Sequence, residues 1–411
     1  MNPTVLIVTT SRWFPTARLA MALAQAGCTV DAVCPSGHPL SRMKAVHRDY
    51  AYHGLMPLRS FAAAIAASRP DFLVSGDDLA TSQLHRLHEQ ERRRGKSGEW
   101  VCELIERSLG AAENFPMVYA RSSFIGVARQ EGIRAPETEE IANLGDVRKW
   151  VARMGLPTVL KANGTSGGEG VRIVHSLEEA ERAFRDLQAP PMLARAAKRA
   201  LVDQDKSLVW SSLLRQRSVV NAQRFIPGRE ATTAVACWNG NVLASLHFEV
   251  VNKRSSAGPS SVLRLIENAE MSASAEKMVR RLGLCGIHGF DFMLEEHTGN
   301  AHLIEINPRA TQVGHLALGA GRDLPAALYS ALSGKPLRAA KKVTESDIIA
   351  LFPQEWMRDP ASPFLISGYH DVPWEEPELL RACVRKTQKL NLRNSRRRAV
   401  PALSTVRIPR S

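Results

Sequence analysis

The chain of 411 residues lacks most of the features that assign a sequence quickly. Near the N-terminus its longest apolar runs, Val5 to Val8 and Ala62 to Ala67, are too short for a membrane span or a signal core, so a cytoplasmic location is the default. Six cysteines, at 28, 34, 102, 237, 285 and 383, form no Cys-x-x-Cys pair. This argues against a zinc ribbon and predicts free thiols in a reducing compartment. No Gly-x-Gly-x-x-Gly follows the first apolar segment, which removes the usual signal for a dinucleotide. Acidic residues are scarce in one place. Arg381 to Ser411 holds ten Lys or Arg and no Asp or Glu, so much of the formal charge of +13 belongs to a tail. A solvated, partly disordered segment is the plainer reading of that tail, beside contact with an acidic partner, nucleic acid or anionic lipid.

Hydrophobic content of 44% and charged content of 23% fit a globular protein with a substantial core in two or three domains. The most informative stretch is Gly289 to Arg309, GFDFMLEEHTGNAHLIEINPR. Phe290 to Leu294 and Ala301 to Ile306 alternate around Thr298-Gly299-Asn300, which predicts an antiparallel hairpin with a tight turn. Position 298 is the midpoint between Asp291 and Glu305. A ladder closing there sets the two carboxylates opposite each other, and period-two alternation adds Asn307 to their face. Two such carboxylates repel, and a hard cation such as Mg²⁺ would relieve them. Three exposed polar residues on the wet face of an ordinary hairpin is the competing reading.

Val159 to Val174, VLKANGTSGGEGVRIV, is an apolar run ending in Lys161, a loop with four glycines, and a second β-branched run. Glycines let successive backbone amides approach an oxyanion, so the loop can hold phosphate. No Gly-Lys-Ser/Thr follows it, so it is not a P-loop. A strand rather than a helix comes next, which describes a flap or, blandly, a glycine-rich surface hairpin.

Together these motifs resemble the ATP-grasp superfamily, in the branch with carbamoyl phosphate synthetase, biotin carboxylase and D-alanine-D-alanine ligase. The family order of lysine-ended strand, glycine-rich flap, hinge strand and acidic hairpin appears as Lys161, Thr165 to Gly170, Gln223 to Ile226, and Glu305-Ile306-Asn307-Pro308-Arg309. The resemblance covers about residues 115 to 335. It implies an α/β fold: an N-terminal parallel-sheet domain followed by a two-lobed grasp module of α+β character.

The resemblance further implies that Arg121, Lys161 and the flap residues Thr165, Ser166, Gly167, Gly168, Glu169 and Gly170 hold the phosphates of ATP. Gln223, Arg224, Phe225 and Ile226 would line the adenine, and Glu230 would reach the ribose. Asp291, Glu305 and Asn307 would hold one or two Mg²⁺, with Mn²⁺ able to serve. Arg309 would join Lys161 as a catalytic residue, and Lys253, Arg254 and Arg264 are weaker candidates for a substrate anion. The implied reaction is coupling of a small carboxylate to an amine through an acyl phosphate, with bicarbonate activation or a non-catalytic ATP-binding regulator as alternatives. The resemblance leaves room for a homodimer.

Expected boundaries are an N-terminal α/β domain at 1–110, the grasp module at 111–340 with its flap lobe at about 150–225, a covering segment at 341–380, and the basic tail at 381–411. Strands are expected at Val5 to Thr10, Thr29 to Cys34 and Asp71 to Ser75, with helices from Pro15 to Ala26, around Phe61 to Ala67, and from Leu79 to Arg93. Asp77-Asp78 either caps that last helix, the favoured reading, or faces a ligand cleft at the carboxyl end of the third strand. Further helices are expected at Glu99 to Leu109, Arg121 to Glu131, from the capping box at Ser176, and at His315 to Leu332, with Met117 to Ala120 as a strand-like spacer. Pro190 to Arg217 reads as a basic insertion or a packing helix. His370-Asp371 reads as a structural turn rather than an acid-base pair.

Overall fold

The computed structural model describes residues 2–163, 170–189, 218–255, 258–337, 341–381 and 383. The flap tip, the 190–217 segment and nearly all of the basic tail therefore lie outside the described residues.

Near-continuous apolar runs make the first sheet. β1 (Thr4–Val8), β2 (Thr29–Cys34), β3 (Arg48–Ala51) and β4 (Phe72–Ser75) are all parallel in the order β3-β2-β1-β4. TVLIV is buried on both faces, as a parallel strand covered by helices requires. The helix α1 (Pro15–Ala26) opens on proline and ends at Gly27, whose φ of 114° lets its amide turn back to Leu23 and Ala24. β3 was not expected from the sequence. Its RDYA is a largely exposed edge, and charge replaces the apolar signal there.

Asp77 fixes the turn after β4. Its carboxylate caps α3 (Asp78–Arg92) through Ala80 N at 2.9 Å. It also accepts from Thr9 Oγ1 (2.7 Å), Thr10 N (2.6 Å), Thr10 Oγ1 (2.7 Å) and Ser11 N (3.2 Å). The capping reading holds for Asp77, and the same side chain ties the β1 and β4 loops together. Asp77→Ala strands several buried donors, and an expected loss of about 3 kcal/mol should appear in the urea unfolding midpoint.

A second, seven-stranded sheet has the order β13-β12-β9-β10-β11-β14-β15. Its strands are β9 (Gly228–Trp238), β10 (Asn241–Lys253), β11 (Ser260–Leu265), β12 (Gly286–Glu295), β13 (Ala301–Asn307), β14 (Ile348–Leu351) and β15 (Tyr369–Asp371). It is antiparallel except for β14 with β15. β14 pairs with β11, so the stretch expected to cover the module extends its sheet. One apolar cluster runs from Val5, Ile7 and Leu19 to Ala234, Leu246, Phe248 and Ile349, which welds the first sheet and α1 to one face of the second.

A third sheet, β5 (Thr138–Ile141), β8 (Val220–Arg224), β6 (Thr158–Ala162) and β7 (Val171–Val174), is antiparallel in the order β5-β8-β6-β7. It carries α6 (Leu144–Met154) and α7 (Leu177–Gln188) over a core around Trp150, Leu160 and Phe184.

Two expected elements differ. Met117 to Ala120 is a run of turns rather than a strand, with Met117 N bonded to Asn114 O and Tyr119 N to Pro116 O. The helix expected from His315 begins only at Leu324 and runs to Ser333, because Gly319 (φ 111°) and Gly321 (φ 71°) adopt left-handed backbone before the Asp323 N-cap.

Candidate active site

The acidic hairpin is β12 and β13. Asp291 lies opposite Glu305, and Gly289 opposite Asn307. Nearer the turn the pairs are Phe292 with Leu303 and Leu294 with Ala301, so Ile304 is an extra residue bulged between Asp291 and Phe292. Without that bulge Asp291 would face Ile304, and Glu305 would point to the other side of the sheet. The bulge puts both carboxylates on one face. A Cβ at position 289 would lie 2.3 Å from Thr311 Cγ2, so a larger residue there would force the threonine side chain to shift.

Each carboxylate is held. Thr232 Oγ1 of the neighbouring β9 donates to Asp291 Oδ1 at 2.8 Å, and Asn307 Nδ2 donates to Asp291 Oδ2 at 2.9 Å. Glu305 Oε2 forms an ion pair with Arg121, the first residue of α5 (Arg121–Gln130), and lies 3.7 Å from Lys161 Nζ on β6. Lys161 is buried. Arg309 donates from Nη2 to Asn307 Oδ1 at 3.2 Å. Thus Arg121, Lys161, Asp291, Glu305, Asn307 and Arg309, spread over nearly half the chain, form one contact network.

The two carboxyls differ electrostatically. Burial, then the neighbouring Glu305, push Asp291 up from 3.8 to about 6. Burial would raise Glu305 too, but the Arg121 guanidinium and the Lys161 ammonium outweigh it and hold that carboxyl below the usual range. Burial lowers Lys161, and Glu305 partly opposes the shift.

The donor set fits a hard cation. Among the described residues no three His, Cys, Asp or Glu cluster to cage an ion alone. Two carboxylates and an amide oxygen are the share of a Mg²⁺ shell a protein gives when substrate phosphates supply the rest. Because metal needs both carboxyls ionised, stabilisation by MgADP should shrink below about pH 6. The metal-free protein should behave oppositely. A raised folded pKa favours the folded state below about pH 4, and that contribution is lost as pH rises through about 6. Melting scans from about pH 5 to 8, with and without MgADP, test both signs, and Asp291→Asn should flatten both trends.

The remaining candidates divide. Glu230 pairs across from Met293, two residues along from Asp291, so it shares the Asp291 face, and its carboxylate takes Lys253 Nζ at 2.7 Å. Gln223 is buried, its Nε2 donating to Thr138 Oγ1 at 2.9 Å and reaching Ile304 O at 3.5 Å. Ile226 is buried, Phe225 half-buried and Arg224 exposed. Gly170 accepts from Ala162 N at 2.9 Å, closing the base of the strand-loop-strand flap. Thr165, Ser166, Gly167, Gly168 and Glu169 lie outside the described residues.

Arg264 pairs with Glu249, which pairs with Ala231, and that row stands on the sheet face opposite Asp291. The substrate contact expected for Arg264 is therefore not supplied by its position. Arg254 is exposed, and among the described residues no hydrogen bond or ion pair joins its side chain to the carboxylates. Asp371 belongs to a buried cluster instead of a catalytic pair with His370, taking Arg18 and, at 2.7 Å, His315 Nε2.

Sequence reasoning did not single out Thr232 or Trp13 and left Asp78 between two roles. Asp78 Oδ2 accepts from Arg309 Nε at 3.2 Å, and the Arg309 guanidinium lies 4.8 Å from the centroid of the Trp13 ring. Trp13 follows the carboxyl end of β1, where ligand-facing residues of open α/β sheets collect, and that was the available signal.

Residues 121–324 match the family model for the carbamoyl-phosphate synthase L chain, ATP binding domain. The arginine-specific carbamoyl phosphate synthase large chain of Geobacillus stearothermophilus is 23% identical over 275 residues, 66% of this chain and 24% of that protein. The chain thus spans about a quarter of that relative's length. The formate-dependent phosphoribosylglycinamide formyltransferase of Hahella chejuensis is 24% identical over 75% of this chain and 69% of its own. In structure, the biotin carboxylase of Campylobacter jejuni superposes with a TM-score of 0.58 at 15% identity, covering 82% of this chain and 72% of that one. Residues 121–324, just under half of the chain, thus match the ATP-grasp superfamily.

Proposed function

We propose that the protein is an ATP- and Mg²⁺-dependent ligase that activates a carboxylate as an acyl phosphate and couples it to an amine. The observation that carries this reading is the bulged register that sets Asp291 and Glu305 on one face beside Asn307, with Lys161, Arg121 and Arg309 around them. Support also comes from the biotin carboxylase neighbour, solved as a beta-gamma-ATP complex.

Phosphoryl transfer needs charge neutralisation and in-line placement more than it needs a protein nucleophile. A substrate carboxylate oxygen attacks the γ-phosphorus and the bond to ADP breaks. A neutral amine then attacks the acyl carbon, phosphate leaves, and the amine gives up a proton. Lys161 and Arg121 would hold the phosphates with the flap amides of 165–170. Glu230 would take the ribose, and Gln223 to Ile226 the adenine edge. Lys253, tied to Glu230, would lie along the nucleotide, and Arg254 would join only after moving from solvent. Asp291, Glu305 and Asn307 would hold Mg²⁺, which when bound offsets the negative charge of the phosphate oxygens. Arg309 would neutralise the transferring phosphoryl or the oxyanion of the tetrahedral adduct.

This reading divides the chain at 1–110, 111–340, 341–380 and 381–411 and places it in the cytoplasm. Among the described residues no helix is long and apolar enough to cross a membrane. Incubation with ATP, Mg²⁺ and pools of amino and hydroxy acids should release ADP and phosphate, and hydroxylamine should trap a hydroxamate. Release with bicarbonate alone would reassign the acid substrate. Tight ADP binding with no release from any pool would contradict the ligase reading in favour of a regulator.

A further inference from the structure

We infer that Asp78 and Trp13, both from the N-terminal sheet, are positioning residues that orient the Arg309 guanidinium toward a two-oxygen anion. The inference rests on the role proposed above for Arg309.

The first argument is where the two residues stand. In the order β3-β2-β1-β4 the chain runs outward from β1 to β2 and β3 and then returns to add β4 on the other side. The crevice between the carboxyl ends of β1 and β4 is therefore the topological switch point, where open α/β sheets receive ligands. Trp13 follows β1, and Asp78 follows β4. The segment after β13 is bolted into this crevice by backbone. Ala310 N donates to Ser75 O at 3.0 Å, and Thr81 Oγ1 donates to Pro308 O at 2.8 Å. Asp77, cross-linked to the β1 loop, holds the crevice in shape.

The second argument is an inventory of donors. A guanidinium has five N–H groups. Nε–H goes to Asp78 Oδ2, one Nη1 hydrogen to Ala310 O, and one Nη2 hydrogen to Asn307 Oδ1, each at 3.2 Å. Among the described residues one N–H remains without an acceptor on each terminal nitrogen. That pair is a fork suited to two oxygens of one carboxylate or phosphoryl group. Asp78 sets the in-plane rotation of the fork, and the Trp13 ring, 4.8 Å below the guanidinium, holds it by a cation–π contact that limits its tilt. Asn307, which also bonds Asp291, couples the fork to the carboxylate pair. A salt bridge that merely stapled the two sheets would not be expected to leave a matched pair of donors open.

The test uses the full chain labelled with ¹⁵N-arginine, with Asp78→Asn, Trp13→Ala and Trp13→Phe. Arg309→Lys identifies the Arg309 Nε–H resonance. Asp78→Asn should displace that resonance because a charged acceptor is lost, and Trp13→Ala should displace it because the ring current is lost. Trp13→Phe should restore most of the position. With whichever acid supports turnover, Asp78→Asn should lower kcat about tenfold and leave KM for ATP within about twofold, and Trp13→Phe should keep most of the kcat that Trp13→Ala loses. An Arg309 resonance unmoved by both Asp78→Asn and Trp13→Ala overturns the inference, and so does a displaced resonance with unchanged kcat. If the wild type turns over no acid, the ligase reading fails, and the resonance alone decides whether Asp78 and Trp13 orient Arg309.

Discussion

Glu305→Gln is expected to lower Mg²⁺-dependent ATP turnover by about 10²- to 10³-fold, the range for loss of a single preorganised charge-stabilising group. The amide keeps the shape of the side chain, so the effect isolates its charge. That charge has two uses. It pairs with Asp291 across the ladder to form a site for a cation, and it is the shared counter-ion of Arg121 and Lys161. The substitution leaves the buried Lys161 without its neutralising neighbour. Because Glu305 is itself partly exposed, about 1–3 kcal/mol of stability is at stake rather than the larger cost of a fully enclosed pair. Circular dichroism melting beside steady-state ADP release separates the two effects. A variant that melts a few degrees lower yet turns over as well as wild type would show that the carboxylate is structural.

Lys161→Met should do the reverse to stability. An ammonium pushed down by burial is costly to keep, and a thioether of similar length fills the same space, so the urea midpoint should hold or rise. Nucleotide affinity should suffer instead. Loss of one charge-assisted contact to phosphate is expected to weaken MgATP binding by about 10- to 100-fold, or about 1.4–2.8 kcal/mol. Calorimetric titration of MgATP into both proteins reads this directly. Lost affinity with retained stability marks a binding lysine, whereas lost stability with retained affinity would mark a packing one.

The sequence carried the site better than the surroundings that aim it. Periodicity and turn residues were enough to oppose Asp291 and Glu305, yet the count was made on a symmetric ladder. The real ladder reaches the same pairing through the bulge at Ile304, and nothing in LIEIN announces a bulge. β3 escaped because an exposed edge strand reads as charge. The false start of a helix at His315 came from weighing Leu316, Ala317 and Leu318 above Gly319 and Gly321, whose positive φ values break the run before Asp323 caps the true helix. Arg264 is a weak candidate for a substrate anion in the sequence, and the register of β10 with β11 puts it behind the sheet. Asp78 and Trp13 reach Arg309 over separations of more than two hundred residues. No local pattern encodes such a contact, and only the packing of one sheet on the other creates it.

The central claim is that Asp291 and Glu305 together grip a divalent cation against the phosphates of a nucleotide. The most direct measurement is electron paramagnetic resonance of Mn²⁺ titrated into the protein with ADP, for wild type and for the Asp291→Asn, Glu305→Gln double variant. In wild type, protein and ADP together should remove free Mn²⁺ signal well beyond what ADP removes alone, and the double variant should remove no more than ADP. Equal loss of free Mn²⁺ in both proteins would contradict the account.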